Sequence, residues 1–461
     1  MESIHGFDFF RLHFDANGNL QAQAEFDDFE QQVLAGQASD AVFIAHGFRN
    51  DENDAMELYT GFLGNVRAHL DRGAFPDLAN KRFVVAGVFW PSQAFKENFA
   101  ADGATEALDP DQAVKEEARA KLLNLKTTVA NDAQKPKLDR AIELLDQVDG
   151  SDQAQDEFVS CVLSLLDGAN LGATEGVEEL KATDGSKLLD KLGSPIILPA
   201  NKQDADTGGV SAFEASSVDG PQDGGHVESI NSFFGSIFGR IGTFLNLTTW
   251  YTMKERSGIV GANGAAKAVR DTKRALPNIR LHLVGHSLGG RLMASCAKSL
   301  CADPKLQPDS LTLLEAAFSH YGFSANNGEN TPGFFRAVVD DKLVRGPFVS
   351  TFSAQDTVVG NIYAIASRLA DDNVKAIGDA NDKFGGIGRN GAQKTDEAVL
   401  KPLLDVGQPY TFEANKILCL DGSGGKIKDH SDVKNPFVTW AFVSAAAETV
   451  KPSVIAAAGN G

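Results

Sequence analysis

Short, uninterrupted apolar runs alternate with segments of helical periodicity in this chain, and this alternation limits the folds that it can adopt. Val42, Phe43 and Ile44 form one such run, and "FVVAGVF" at 83–89 forms another. A strand that is covered on both faces carries apolar residues at consecutive positions rather than at alternate ones. The helical segments supply the crossovers that parallel strands require. We therefore predict an α/β fold with a doubly wound, mostly parallel sheet.

The alternation is interrupted between residues 96 and 249. Segments in this region, such as "KLDRAIELLDQV", carry apolar residues at helical spacing. After residue 255 the strand and helix patterns return, in the order "IRLHLVG", "SLTLLEAAFS", "PFVSTFS" and "KILCLD" for the strands. We predict one α/β domain made of residues 1–95 and 250–461, with a large, mainly helical insertion at 96–249.

The first segment, "FDFFRLHFDANGNLQAQAEF", contains strand-like runs on both sides of "DANGNL". Asn17 and Gly18 are typical of a tight turn between two strands. We therefore predict an antiparallel hairpin with its turn at these two residues, at one edge of the sheet.

Composition excludes several classes of partner. The net charge of −19 would repel nucleic acid and strongly anionic membrane surfaces. Four cysteines in 461 residues, none of them in a C-x-x-C pair, support neither a disulfide framework nor a zinc site. No motif for another metal is present, so we predict a protein without a metal ion or a cofactor. The sequence does not indicate an oligomeric state.

The N-terminus and the apolar runs bear on localisation. The segment "MESIHGFDFFRLHFD" carries charges where a signal peptide would need an apolar core. The longest uncharged runs, such as "NPFVTWAFVSAAA", fall short of the roughly 20 residues of a spanning helix. We expect a soluble, cytoplasmic protein without a transmembrane segment, unless it is exported without a leader.

A serine lies between glycines where one predicted strand changes into a helix. The match is G-x-S-x-G, with Gly285, Ser287 and Gly289 in "LHLVGHSLGGRL". A sharp strand-to-helix turn projects the serine above the sheet edge and leaves no room for larger neighbours. Ser287 is therefore a candidate nucleophile.

A serine hydroxyl reacts only when a base takes its proton and an acid orients that base. In a sheet of this kind the acid and the histidine follow later strands, in the order serine, acid, histidine. The strand "PFVSTFS" leads to Asp356, and "KILCLD" leads to His430. We predict a triad of Ser287, His430 and Asp356.

Other titratable residues near these strand ends fit the triad less well. His286 is expected to point away from Ser287 into neighbouring structure, and His320 comes too early in the order. Glu315 is placed inside its strand rather than beyond it. Asp429 and Asp432 flank His430 and are interpreted as solvated loop carboxylates.

The reaction also needs donors for a developing oxyanion. The N–H of Leu288, at the start of the helix after the serine, is one candidate. The loop "IAHGFRN" supplies the other, because Gly47 permits a tight turn that would present the N–H of Phe48. We interpret His46 as a structural histidine.

The segment "GIGRNG" at 386–391 matches the G-x-G-x-x-G pattern of dinucleotide-binding proteins. It does not follow a strand, which this pattern requires, so we interpret it as a loop and predict no nucleotide cofactor.

At "GHSLGG" and "HGF" the sequence resembles the lipase and esterase branches of the α/β-hydrolase superfamily. The resemblance covers residues 1–95 and about 250–461. It implies an α/β-hydrolase fold, Ser287 as nucleophile, His430 as base and then acid, and Asp356 as its orienting acid. It also implies Phe48 and Leu288 as oxyanion donors.

The insertion lies outside this resemblance. Its residues 234, 237, 238 and 241 share one helical face, which fits either a packed core helix or an apolar lid over Ser287. Phe234 and Phe238 are therefore candidate pocket-lining residues. Trp90 ends the strand "FVVAGVFW" near the site, which fits either a third pocket-lining residue or a residue that simply packs.

The expected function is hydrolysis of carboxylic esters through an acyl-enzyme, with a small-molecule ester or lipid as substrate. Two alternatives remain open at this point. An amidase or acyltransferase would use the same motifs. A binding protein with this fold that has lost catalysis is the alternative from another class.

Overall fold

The computed structural model describes residues 2–35, 38–93, 110–193, 236–300, 306–328, 330–370 and 380–451. The chain divides into two compact units. The first unit comprises Met1–Ser92, Arg256–Val359 and Gly385–Gly461, and the second comprises Gln93–Glu255 and Gly360–Phe384.

The first unit contains one sheet of nine described strands. These strands are β1 (Glu2–Ile4), β2 (Phe7–His13), β3 (Asp40–Ala45), β4 (Phe83–Phe89), β5 (Arg280–His286), β6 (Ser310–Leu314), β7 (Phe348–Phe352), β8 (Ala398–Pro402) and β9 (Ile417–Asp421). Their order across the sheet is β1-β2-β4-β3-β5-β6-β7-β9-β8. Only the β1–β2 pair is antiparallel, and the other described neighbours are parallel.

The central strands are buried along their whole length, as their continuous apolar runs predict. Every residue of β3, β4, β6 and β7 is buried. Helices cover such a sheet on both faces, so each strand loses contact with water on both sides. The predicted α/β class with a mostly parallel sheet is confirmed.

Besides 3-10 helices at Pro76–Leu78 and Ser164–Leu166 and a π-helix at Val260–Ala265, fourteen α-helices lie in the described part of the chain. They are α1 (Gln23–Ala35), α2 (Glu52–Asp71), α3 (Pro110–Thr128), α4 (Lys135–Leu144), α5 (Asp152–Leu163), α6 (Val177–Ala182), α7 (Gly185–Leu192), α8 (Ile237–Ile259), α9 (Ala266–Ala275), α10 (Leu288–Ser299), α11 (Arg336–Asp340), α12 (Thr357–Ala370), α13 (Ile387–Asn390) and α14 (Pro436–Glu448). None of them is both long enough and apolar enough to cross a membrane.

Local sequence explains where the helices beside the sheet begin. The Asp51 carboxylate accepts from the N–H groups of Asn53 and Asp54, and the Asp54 carboxylate accepts from the N–H of Asp51. This reciprocal cap satisfies donors that the first turn of α2 leaves free. At α14 the Asn435 side chain caps the first turn, and Pro436 follows at a position that needs no N–H donor.

The predicted turn at Asn17 and Gly18 exists and closes a short antiparallel pairing, but the hairpin at the sheet edge has another turn. β1 and β2 are joined at His5 and Gly6, which both have positive φ (49° and 79°). Asn17 and Gly18 instead form a turn after β2, where the Asp15 carboxylate accepts from the Asn17 N–H. Across this turn Phe14 and Leu20 form one antiparallel bridge, and the chain then continues into α1.

Two further elements differ from the expectations. β8 has no counterpart among the predicted strands, because it lies at the sheet edge and its residues are half-buried or exposed. "GIGRNG" contains the one-turn helix α13, so its interpretation as a plain loop is wrong.

The described part of the second unit is helical and has its own buried polar centre. The Lys254 ammonium bonds the Glu175 carboxylate and donates to the Tyr363 hydroxyl at 2.6 Å. It also lies 4.3 Å from the centre of the Trp250 ring. Tyr363 belongs to Gly360–Phe384, which the predicted domain limits assign to the α/β domain. Its packing against Glu175 explains why this segment groups with the second unit.

Candidate active site

Ser287 lies at the junction of β5 and α10 in a conformation that non-glycine residues rarely adopt. Its φ is 57° and its ψ is −124°. Its N–H donates to the carbonyl of Leu314 and its carbonyl accepts from the N–H of Ala317, both at 3.0 Å. Strain of this kind costs about 1–3 kcal/mol and persists only where the surroundings hold it. The end of β6 therefore fixes the serine at the turn.

Close approach of backbone atoms requires glycine at the positions two residues before and two residues after Ser287. A Cβ on Gly285 would lie 2.2 Å from the carbonyl oxygen of Gly289. A Cβ on Gly289 would lie 2.3 Å from the carbonyl oxygen of Ala45. Backbone atoms cannot move aside as a flexible side chain can, so a larger residue at either position would displace the turn. These distances support the steric explanation for glycine at both positions.

The structure brings Ser287, His430 and Asp356 together although they lie far apart in the chain. Nε2 of His430 is 2.8 Å from the Ser287 Oγ, and its Nδ1 is 2.8 Å from Oδ2 of Asp356. A carboxylate only accepts, so Nδ1 carries the proton and Nε2 is left to accept from the serine. The other Asp356 oxygen accepts from the N–H of Val359 at 2.9 Å and so caps α12.

His286 holds the loop that carries His430. Its Nε2–H donates to the backbone carbonyl of His430 at 2.8 Å, and the two ring centres are 4.8 Å apart. The ring therefore bonds a neighbouring segment, and that segment is the loop that carries the proposed base. Burial lowers the pKa of His286 to about 3, with a smaller contribution from the neighbouring imidazole. The ring is neutral at ordinary pH and acts as a donor.

We expect the free energy of unfolding of His286→Gln to depend less steeply on pH, below about pH 6.5, than that of the wild type. The folded state keeps this imidazole neutral down to about pH 3, whereas the unfolded chain protonates it below about pH 6.5. Because the unfolded state binds the extra proton, this residue lowers the free energy of unfolding by about 1.4 kcal/mol per pH unit as pH falls. Glutamine retains a donor but does not titrate. Urea unfolding at several pH values between 6.5 and 4 measures how the free energy of unfolding changes with pH in the wild type and in the variant. Equal slopes in the two proteins would contradict a buried, neutral His286.

The loop after β3 is fixed beside the serine by aromatic residues. The Tyr59 hydroxyl accepts from the His46 N–H at 3.0 Å, and the Trp90 Nε1–H donates to the His46 carbonyl at 3.0 Å. Burial lowers the pKa of His46 to about 4, so its ring is neutral and its Nδ1–H donates to the carbonyl of Gly47 at 3.0 Å. His46 thus has the structural environment expected of it.

The N–H groups of Phe48 and Leu288 are available near this turn. Leu288 is the first residue of α10, so its N–H has no acceptor within that helix. In the described part of the chain, no backbone carbonyl in a turn, loop or cap accepts a hydrogen bond from the N–H of Phe48 or of Leu288. A Cβ on Gly47 would lie 2.8 Å from the Ser287 Cβ, which shows how closely the loop approaches the serine. Two free donors therefore lie on the segments that flank the serine.

The candidate pocket-lining residues have different surroundings. Trp90 is buried, and its indole stacks on the His46 ring at 5.7 Å. Phe238 is buried in the second unit, where the Lys115 ammonium lies 5.5 Å from its ring centre. Phe234 lies outside the described residues.

Sequence reasoning missed two residues next to Asp356. The Arg389 guanidinium, in "GIGRNG", donates to the carbonyls of Ala354 and Asp356 and so supports the acid loop. Glu315 lies one residue beyond β6, not inside the strand as expected. Neither has a local sequence pattern that predicts these contacts, because both arise from packing between distant segments.

A second serine, histidine and aspartate arrangement lies under the opposite end of β5. Nδ1 of His282 is 2.8 Å from the Ser310 Oγ, and its Nε2 is 3.0 Å from the Asp40 carboxylate. Asp40 also pairs with the Arg280 guanidinium. All three members of this arrangement are fully buried, at 0% exposure, so no substrate reaches them. Ser310 therefore provides an internal control for Ser287.

Comparison with protein-family models, with curated proteins and with solved structures finds no match for this chain. In the described residues, no group of three or more His, Cys, Asp or Glu side chains is arranged to hold a metal ion. What the site does chemically must therefore be argued from its own geometry.

Proposed function

We propose that this protein is a serine hydrolase with an α/β-hydrolase fold, and that it cleaves carboxylic esters through an acyl-enzyme on Ser287. The observation that carries the proposal is the hydrogen-bonded series from Ser287 through His430 to Asp356, with both contacts at 2.8 Å. The positive φ of the serine supports it, since a catalytic turn of this kind is strained.

In the acylation step, the Ser287 oxygen attacks the ester carbonyl while Nε2 of His430 takes the hydroxyl proton. The imidazolium that forms is stabilised by the Asp356 carboxylate at its Nδ1–H. The N–H groups of Phe48 and Leu288 donate to the oxyanion as the carbonyl oxygen gains charge. His430 then returns the proton to the alkoxide, which leaves as the alcohol.

In the deacylation step, a water molecule replaces the alcohol beside His430. Nε2 takes one proton from the water, whose oxygen attacks the acyl carbon. The tetrahedral intermediate releases the carboxylic acid and restores the Ser287 hydroxyl. Because buried His46 and His286 are neutral, the site adds no fixed histidine charge that would compete with the Asp356 carboxylate.

Charge favours a neutral or zwitterionic ester over a polyanionic one. The net charge of −19 disfavours the approach of polyanionic substrates. The same residues would also perform amide hydrolysis or acyl transfer, which differ in the leaving group and in the acceptor. Substrate panels distinguish these reactions.

We expect Gly47→Ala to lower kcat by about 100-fold, because a 1 Å displacement at a reacting centre has an effect of that order. The added Cβ would lie 2.8 Å from the Ser287 Cβ and 3.3 Å from its Oγ. Gly424→Ala is the matched control, since a Cβ there meets nothing within 4 Å. Steady-state kinetics and urea unfolding measure both variants. Wild-type kcat in Gly47→Ala would show that this loop does not contribute to the site.

The experiment that tests the function is a panel of p-nitrophenyl esters of increasing acyl length, together with a p-nitroanilide. The wild type is expected to hydrolyse the esters, and Ser287→Ala is expected to show only the background rate. Equal rates for the two proteins would refute the proposed function. Faster turnover of the anilide would instead support an amidase.

A further inference from the structure

Glu315 is placed where two neighbouring strands end. It follows β6 directly, and its N–H donates to the Thr351 hydroxyl of β7 at 3.3 Å. Asp356 lies four residues beyond the end of β7, at the same edge of the sheet. Glu315 has a φ of 44°, in the left-handed region that a glutamate rarely adopts. The chain thus holds this residue in an unfavourable backbone conformation near the predicted triad.

The Glu315 carboxyl is fully buried, and neither of its oxygens accepts a hydrogen bond from a donor group among the described residues. An ionised carboxylate is unstable in such a position, because burial removes its hydration without replacing it. Asp356 is also fully buried, and it interacts with Glu315. Two ionised carboxylates in contact there would repel each other.

The surroundings favour a proton on Glu315 rather than on Asp356. Asp356 already accepts from His430 and from the Val359 N–H. Burial, and then the charge and hydrogen bonding of Asp356, raise the pKa of Glu315 well above its ordinary value. The charge of Asp421, at the end of β9, also raises the pKa of Glu315, whereas Thr351 lowers it.

We propose that Glu315 is a positioning residue that remains protonated and donates to the Asp356 carboxylate, extending the series Ser287–His430–Asp356 by one member. The inference rests on the proposed function of that series. A third donor fixes the plane of the Asp356 carboxylate, and this plane determines where Nδ1 of His430 is held. Glu315 touches neither serine nor substrate and acts through Asp356.

Two variants separate this role from simple packing. Glu315→Gln keeps a neutral donor at nearly the same place, so its kcat should stay within about threefold of wild type. Glu315→Met has a similar length but no donor, so its kcat should fall about tenfold, as expected for the loss of one hydrogen bond to a charged group, with KM unchanged. Urea unfolding of both variants measures their stability beside their activity. If Glu315 had a purely structural role, kcat would fall only in a variant whose urea midpoint also falls.

The proton itself has a direct readout that needs no activity. Infrared difference spectra of wild type and Glu315→Gln at neutral pH should show the carbonyl stretch of a protonated carboxyl only in the wild type. Absence of this band would overturn the proposal even if Glu315→Met does not fold. Wild-type kcat in Glu315→Met, or an equal loss in Glu315→Gln, would also overturn it. If the wild type cleaves no ester, the proposed function fails, and the infrared band still decides the protonation state.

Discussion

Ser287→Ala is expected to lower kcat for ester hydrolysis by about 10⁶-fold, since removal of a triad nucleophile has an effect of that order. Without Oγ no acyl-enzyme forms, and only the residual rate enhancement from the oxyanion donors and substrate binding remains. The fold should persist, because alanine meets the same backbone strain as serine at φ 57°. Steady-state rates on a p-nitrophenyl ester measure the loss, and urea unfolding measures the stability.

Ser310→Ala is the matched control for this prediction. Ser310 also lies beside a histidine backed by an aspartate, but it is fully buried. We expect wild-type kcat and a loss of about 1 kcal/mol in the free energy of unfolding, from one buried hydrogen bond. Activity that survives Ser287→Ala, or disappears in Ser310→Ala while the protein remains folded, would remove Ser287 from the mechanism.

Asp356→Asn is expected to lower kcat by about 10⁴-fold, with little change in the overall fold. The asparagine amide would present a donor to Nδ1 of His430, which favours the tautomer that carries its proton on Nε2. That nitrogen could then no longer accept from the Ser287 hydroxyl. Steady-state kinetics measure kcat, and circular dichroism checks that the secondary structure is retained.

Asp40→Asn is the matched control for Asp356→Asn. It should lower stability and leave kcat nearly unchanged, because Asp40 belongs to the buried arrangement with His282 and Ser310 and not to the proposed triad. Asp40 is buried between the Arg280 guanidinium and His282. Burial raises the pKa of Asp40, but its hydrogen bonds and charge interactions with His282 and Arg280 outweigh this effect and lower the pKa below its ordinary value. Removing its charge weakens the charged hydrogen bonds with the half-buried Arg280 guanidinium and should cost about 1.5–3 kcal/mol of stability. Its kcat should remain close to wild type under conditions where it is folded. A large loss of kcat in Asp40→Asn but not in Asp356→Asn would contradict the assignment.

The central fold was predictable from sequence because burial on both faces leaves a continuous apolar pattern. β3 and β4 carry that pattern and were predicted. β8 does not carry it, because an exposed edge strand needs no apolar face. Gly360–Phe384 groups with the second unit through contacts such as that of Tyr363 with Glu175, which lie 188 positions apart. A local pattern carries no information about such a distant pairing.

The members of the site were predictable where a local rule applies. The glycines around Ser287 follow from the sterics of a sharp turn, and Asp356 and His430 follow from the order of strand ends. The contacts of Glu315 and His286 could not be predicted, for a common reason. The partner of His286 is a backbone carbonyl 144 positions away, and Glu315 meets Asp356 only because β6 and β7 are neighbours. Their roles depend on which strands the fold places side by side.

Intact mass after reaction with a fluorophosphonate tests the central claim most directly, because this reagent labels a serine only when a neighbouring base activates it. The wild type should gain one adduct, and peptide mapping should place it on Ser287. Ser287→Ala and His430→Ala should gain none, and Ser310 should remain unlabelled in every sample. A folded wild type that gains no adduct with or without detergent, or an adduct that persists in Ser287→Ala, would contradict the proposed nucleophile.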